Sequence, residues 1–268
     1  MLRDITIGQY YNSDSVIHRL DPRFKLIAAI VYVVILFIIN DLYTYVFSIA
    51  ALFAVIALSK VPLKYMLRGI KSVMFIIVIT ALLNMFTTRG ETILWEFGFL
   101  RLTLEGIIFA VKMVVRLIML IMASSVLTLT TTPIQLTDGI EYLLKPFRKI
   151  GVPAHEIAMM MTIALRFIPT LLDETDKIIK AQQARGADFD TGGIIKKAKS
   201  LVPILVPLFV SSFRRADELA MAMEARCYRG GENRTRMNEM VMGKNDYTGA
   251  VIVVIFVVVI TAMIIFLG

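Results

Sequence analysis

Cysteine and histidine are nearly absent from this chain: one Cys, Cys227, and two His, His18 and His155, in 268 residues. A lone cysteine excludes an intrachain disulfide, so the redox compartment cannot be read. Two distant histidines and one cysteine fall short of the four closely spaced N/S ligands of a structural zinc. Charge is scarce as well. Only 19% of residues are charged, 57% are hydrophobic, and the mean hydropathy is +0.74. A soluble domain has about 25% charged and roughly 45–50% apolar residues. The imbalance excludes a disordered chain, a small disulfide scaffold and most soluble enzymes, and it points to a polytopic membrane protein. There is no G-x-x-x-x-G-K-[ST] loop, since Gly243-Lys244 is followed by Asn245, and no H-E-x-x-H or G-x-S-x-G. P-loop nucleotide binding on this chain is thereby excluded, and no cofactor is expected.

What the chain has is long apolar runs. A spanning helix needs about 20 mostly apolar residues. Five runs qualify, at 24–40, 42–58, 72–86, 106–132 and 248–267; the third is short and the last carries no charge. The expected fold is all-α, a membrane protein with about five transmembrane helices. Residues 1–23 are polar and mixed in charge, and no small-residue cleavage site follows the first apolar run, so that run reads as a retained span rather than a signal peptide. The net charge of +8 reads as membrane topology rather than nucleic-acid binding. Arg3, Arg19, Arg23 and Lys25 precede or open the first span, and Lys60, Lys64, Arg68 and Lys71 follow the second. Between the first two spans there is only Asp41, and between the third and fourth Arg89 and Arg101 are offset by Glu91, Glu96 and Glu105. The alternation predicts a cytoplasmic N-terminus (1–23), spans over 24–132, a cytoplasmic module over 133–247, and a last span at 248–268 with its C-terminus outside.

The module is too long for a linker. A short helix is expected from Pro133 to about Lys149. A second starts at Pro153, a favourable first helical position, and runs to Arg185-Gly186. After the Gly192-Gly193 break a third runs from about Ile194 to Cys227, before Gly230-Gly231. The last two are each about 50 Å long, with Pro169 inside one and Pro203 and Pro207 inside the other. Interior prolines predict kinks. The apolar stretch 201–213 is only 13 residues with two prolines, so it reads as a surface or under-bundle helix rather than a sixth span. The two helix ends form a weak repeat, Ala181-Gln-Gln-Ala-Arg185-Gly186 and Ala222-Met-Glu-Ala-Arg226-Cys227, 41 residues apart. Basic residues at helix C-termini are common, because the dipole favours them. At the same offset Asp173-Glu174 aligns with Arg214-Arg215, so the charges pair if the helices cross there. Lys112 and Arg116, four apart on one face of the fourth span and two turns after Glu105, read either as pairing or snorkelling toward the outer surface or as a contact to a partner. His155 reads as a solvent-facing histidine at a helix start. The Met159–Met161 run fits an adaptable packing surface.

Four segments together resemble the transmembrane (T) component family of energy-coupling factor (ECF) transporters, an ABC-type uptake system. These are Asp14-Ser-Val-Ile-His18-Arg-Leu-Asp21-Pro-Arg-Phe-Lys25-Leu26, Ala164-Leu-Arg-Phe-Ile-Pro169, Ala184-Arg185-Gly186 and Ala225-Arg226-Cys227. The resemblance implies two long cytoplasmic coupling helices crossed in an X. It implies docking of each Ala-Arg-Gly box into one of two ABC-type ATPase subunits, which bind the ATP, with Arg185 and Arg226 as anchors. It also implies a small substrate-binding membrane S component as the third partner, in the lipid bilayer and without nucleic acid. The chain is then a non-catalytic scaffold that couples ATP hydrolysis to uptake of a vitamin or other micronutrient. Cys227 stands where the family pattern has Gly, and a residue with a Cβ enters a left-handed turn less readily. Unequal boxes suit a heterodimer of ATPases. Within the resemblance, a dedicated T component for cobalt, nickel or biotin is the alternative to a shared vitamin type. More distant is a stand-alone gradient-driven carrier, which calls for acidic residues inside discontinuous spans; none of the five spans has one. A membrane-embedded enzyme lacks a clustered set of acids, His or Cys near a span end.

Overall fold

The computed structural model describes residues 10–88, 90, 92–97, 100–187, 189, 193–230 and 242–267. Arg3, Arg89, Glu91, Gly192 and Gly231 lie outside the described residues, as do the side chains of Glu96 and Arg101. The chain is an all-α polytopic membrane protein. Its helices are α1 Pro22–Ile38, α2 Leu42–Ser59, α3 Leu63–Thr87, α4 Leu104–Thr130, α5 Pro133–Leu144, α6 Ala154–Ala184, α7 Ile194–Ala225 and α8 Lys244–Leu267. A 3-10 helix, Lys145–Ile150, continues α5. A short antiparallel hairpin, β1 Ile93–Phe97 and β2 Leu100–Thr103, joins α3 to α4, pairing Phe97 with Leu100 and Ile93 with Thr103. The apolar-run reading did not include it, because two strands this short leave no long hydrophobic signature.

Five helices are long and apolar enough to cross a membrane: α2, α3, α4, α6 and α8. The number agrees with the expectation and the membership differs. Helix α6 is the least apolar of the five, and Asp173, Glu174, Asp176, Lys177 and Lys180 crowd its second half. Helix α1 has 17 residues, about 26 Å, at the short end of the spanning range. Helix α3 corrects the expected 72–86 run by starting nine residues earlier, at Leu63. The reason is that Lys64, Arg68 and Lys71 occupy the opening turns of the helix itself instead of a loop. Long cationic side chains do this by keeping their stems on apolar surface and their heads in the polar region. Lys60, in left-handed conformation at φ 54°, closes α2 and makes the turn between the two helices.

The structure divides into two compact units. One holds residues 8–139 and 239–268, the other residues 140–238. The first is built around α4, which packs on α1, α2 and α3. Its core contains Leu36, Ile39, Met66 and Ile260, all essentially inaccessible, with Met119, Met122 and Leu129 of α4. Helix α8 joins through Phe256, stacked on Tyr32 and Phe47. Its close approach to α1 needs Gly249, where a Cβ would lie 2.9 Å from the Phe24 ring. The apolar residues left exposed on these helices face hydrocarbon, which is as favourable for them as a protein core. In the second unit α6 packs on α7.

Candidate functional site

The two long helices end alike. At the end of α6, Gly186 N–H donates to Gln183 O at 3.0 Å and Ala187 N–H to Gln182 O at 2.9 Å. At the end of α7, Cys227 N–H donates to Glu224 O at 2.8 Å and Tyr228 N–H to Met223 O at 3.0 Å. Each pair is the double closure of a Schellman motif, which satisfies two orphan carbonyls and requires a left-handed residue after the cap. Gly186 supplies it at φ 86° and Cys227 at φ 56°. The turn that a Cβ makes costly is therefore formed at both positions. Outside glycine the conformation costs roughly 1–2 kcal/mol. Ala184, Arg185, Gly186, Ala225, Arg226 and Cys227 are all exposed, so each turn presents a guanidinium beside small residues at the negative end of a helix.

Helices α6 and α7 meet where the repeat aligned their charges. Arg215 Nη2 lies 2.8 Å from Glu174 Oε2, with both side chains only part-exposed. Asp173 and Arg214 are not joined to each other among the described contacts. About three helix turns further along α7 toward its start, Gln182 Nε2 donates to Pro203 O at 3.3 Å. That carbonyl is available because its helical partner would be the N–H of residue 207, which is Pro207 and has none. Sequence reading takes the prolines as kinks; here one of them also exposes an acceptor for the neighbouring helix. The two contacts pair 174 with 215 and 182 with 203, so the helices run antiparallel where they touch. Their C-termini consequently point in opposite directions, and Arg185 and Arg226 stand on the order of 35 Å apart along the axes.

The span charges are placed elsewhere. Lys112 Nζ donates to Asn40 O at 2.8 Å, and Arg116 donates to Ile39 O at 2.9 Å and to the Tyr45 hydroxyl at 3.1 Å. Both cations thus bind carbonyls just past the C-terminal end of α1, where the dipole favours positive charge. The Arg116 guanidinium also lies 5.9 Å from the rings of Phe37 and Tyr45. Glu105 accepts from the Thr92 hydroxyl at 2.8 Å. His155 is part-buried rather than solvent-facing, with Nδ1 3.2 Å from Glu141 Oε1.

The N-terminal motif has a use the sequence did not disclose. Asp21 caps α1 by accepting from Arg23 N–H at 2.8 Å, and Pro22 takes the first helical position. Lys25, buried, donates to His18 O at 3.1 Å and to Thr130 O at 2.9 Å. Asp246, also buried, accepts from Asp21 N–H at 2.7 Å through one oxygen and from Gly243 N–H at 2.7 Å through the other. The starts of α1 and α8 and the end of α4 are thereby tied together. Asp-Pro before an apolar run is a helix-start signal that sequence alone carries; the partners 105 and 225 residues away are not. Arg19 grips Asp14 at 2.9 and 2.8 Å and holds its carboxyl below the usual carboxylate range. His18 lies between Ser15 Oγ at 2.7 Å and Tyr11 O at 2.9 Å, and its partial burial holds its pKa below the ordinary histidine value. Among the described residues no group of three or more His, Cys, Asp or Glu could hold a metal ion.

The family described as "Cobalt transport protein" matches residues 13–237. Several curated proteins named energy-coupling factor transporter transmembrane protein EcfT align over nearly their whole length. The one from Acidaminococcus fermentans is 58% identical over 258 residues, 96% of each chain. The one from Thermosediminibacter oceani is 60% identical over 245 residues, 91% of this chain and 92% of that one. The one from Bacillus subtilis is 43% identical over 267 residues, 100% of this chain and 99% of that one.

Proposed function

This chain belongs to the energy-coupling factor transporter transmembrane protein family, and on that premise we propose that it is the coupling subunit of an ATP-driven importer. It carries no catalysis of its own. Arg185 and Arg226 each engage one of two ABC-type ATPase subunits, and α6 and α7 carry the movement of those subunits to a membrane-embedded, substrate-binding partner. The observation that supports this most directly is the pair of Schellman-closed helix ends. They are alike in backbone, exposed, and aimed in opposite directions from one antiparallel contact. Two equivalent anchors held apart by rigid helices suit two related subunits. A guanidinium at each end offers five donors in a fixed fork for a carboxylate or carbonyl groove. The antiparallel contact, held by Glu174–Arg215 and Gln182–Pro203, makes the two helices one lever. Val206, Phe209, Val210 and Phe213 leave an apolar stripe on α7 open to a hydrophobic partner.

The N-terminus and the α5–α7 module are assigned to the cytoplasm, and the C-terminus to the outside, from the distribution of Lys and Arg. The substrate is a vitamin or another micronutrient selected by the partner. A cobalt-dedicated type is the second reading, favoured by the description of the matching family, Cobalt transport protein; the names of the relatives specify no substrate.

The test is co-purification. The chain is expressed with its two ATPases, as wild type and as Arg185→Glu with Arg226→Glu. Wild type retains both ATPases, each single variant loses one, and the double variant loses both while its membrane yield is unchanged. Truncation of a buried interface Arg typically costs about 2 kcal/mol or more, so a charge reversal weakens each attachment at least 30-fold. Equal recovery with wild type and double variant overturns the assignment.

A further inference from the structure

The spanning unit holds an apolar cavity of about 340 Å³, within the range of small-molecule sites, about 300–1,000 Å³. Its walls are α1, α2, α4 and α8. Helices α1 and α2 each pack on α4, and α8 packs on both of them. One end is closed, because Phe256 stacks on Tyr32 of α1 and on Phe47 of α2. The other end lies at the level of Phe24, Leu58, Thr130 and Gly249. From Phe24 to Tyr32 is about 12 Å along α1, most of the roughly 15 Å of hydrocarbon in one leaflet. The walls differ in exposure. On α4, Ala123 and Val126 form a buried back wall, 8% and 7% exposed. On α2 and α8, Val55, Leu58 and Ile252 are exposed. The mouth therefore lies between the last turns of α2 and the first turns of α8, facing the bilayer. Exposed cations stand at both helix ends there: Lys60 directly after α2, and Lys244 at the first position of α8.

The lining has three polar side chains, and each already has a protein partner. Lys25 Nζ donates to His18 O and Thr130 O. The Thr130 hydroxyl donates to Val126 O at 2.8 Å, and the Tyr32 hydroxyl to Ser48 O at 3.1 Å. A polar ligand would give up its water here for little in return. Apolar cavities stay dry, and an empty one leaves its lining without dispersion partners. Hydrocarbon suits the space, and the bilayer supplies hydrocarbon at its mouth. We propose that the cavity binds one acyl chain of a membrane phospholipid, which enters between α2 and α8 and leaves its phosphate at Lys60 and Lys244. The chain lies against Ala123 and Val126, and it fills the space between α8 and α4. Cations beside a span attract anionic headgroups, so an anionic phospholipid is the preferred occupant.

The experiment uses the full chain in nanodiscs, alone and in its complete complex, with phosphatidylglycerol that carries a diazirine midway along one acyl chain. After illumination, peptide mass spectrometry locates the label. Label is expected on Ala123 and Val126, which the bulk bilayer does not reach, as well as on the exposed Phe53. Ala51→Phe fills the cavity one turn from Phe47; it is expected to abolish the α4 label and to leave that on Phe53. Ala51→Leu, a smaller filling that strains the packing less, lowers the α4 label in part. Both variants are read in samples whose gel-filtration profile matches the parent. Lys60→Glu with Lys244→Glu lowers the α4 label several-fold. Wild-type label confined to exposed faces overturns the lipid site, and so does α4 label that Ala51→Phe leaves unchanged. Label on α4 that is present in the isolated chain and lost in the complete complex also overturns it, because the cavity then seats a partner protein. An α4 label indifferent to the two lysines overturns the placing of the phosphate.

Discussion

Cys227 holds a backbone conformation that costs a residue with a Cβ roughly 1–2 kcal/mol, whereas Gly186 holds its counterpart freely. Nothing lies within 4 Å of a Cβ placed on Gly186, so the difference is one of dihedral preference alone and not of packing. Cys227→Gly is therefore expected to stabilise the end of α7 by about 1 kcal/mol. Hydrogen exchange of the amides of Cys227 and Tyr228, which close the turn, checks this: protection rises several-fold in the variant. Unchanged protection would mean that the turn carries no strain. Arg226 keeps its place in either case, because the cap precedes the substituted residue. The sequence makes this position visible, through the Ala-Arg-x repeat, but does not decide whether the turn forms. The two closing hydrogen bonds do, since each satisfies a carbonyl that the helix end would otherwise leave orphaned.

At the scale of elements, the contact between α6 and α7 rests on a part-exposed ion pair and on a carbonyl freed by proline. An exposed pair is worth only about 0.2–1 kcal/mol, so Glu174–Arg215 sets the register of the crossing more than its strength. Glu174→Arg or Arg215→Glu alone places like charges in contact and is expected to reduce recovery of intact complex. The double variant, with the charges exchanged, restores it. Recovery is read by gel filtration of the complex, and failure of the exchange to rescue counts against the pairing. Only one of the two charge pairs suggested by the 41-residue offset is formed, because a crossing brings just part of each helix surface into reach. Likewise Lys112 and Arg116, legible as a same-face pair, are occupied with the carbonyls just past the end of α1. Their helix-mates predict the spacing, and only the neighbouring helix decides the use.

For the whole spanning unit, Lys25, Asp21 and Asp246 bring three distant segments to one point. Lys25 is buried, bonds two carbonyls and has both carboxylates as electrostatic neighbours. Removing one member of a buried ionic group typically costs about 3–5 kcal/mol, because the others are left uncompensated. Lys25→Met is expected to lower thermal stability in detergent by that order, with loss of the docked state of α8. Lys25→Met combined with Asp246→Asn, which removes opposite charges together, recovers part of the loss. An unaltered unfolding midpoint in Lys25→Met would show that the clasp does not hold the unit together.

The sequence by itself determined the class, because apolar runs of spanning length with so little charge have no other stable home than a bilayer. It also determined the two long helices nearly to the residue: the glycines and prolines that bound them act through local backbone geometry, which needs no tertiary contact to be legible. It marked Arg185 and Arg226 through their repeat. Tertiary structure decided what depends on residues far apart in the chain. It decided the extra turns of α3, the partners of Lys25, Arg116 and His155, and the choice of Arg215 over Arg214. It also decided the antiparallel sense that sends Arg185 and Arg226 in opposite directions. Hydrogen bonds and ion pairs between helices depend on which faces meet, and a periodic apolar pattern fixes the face of each helix without naming the neighbour it turns toward.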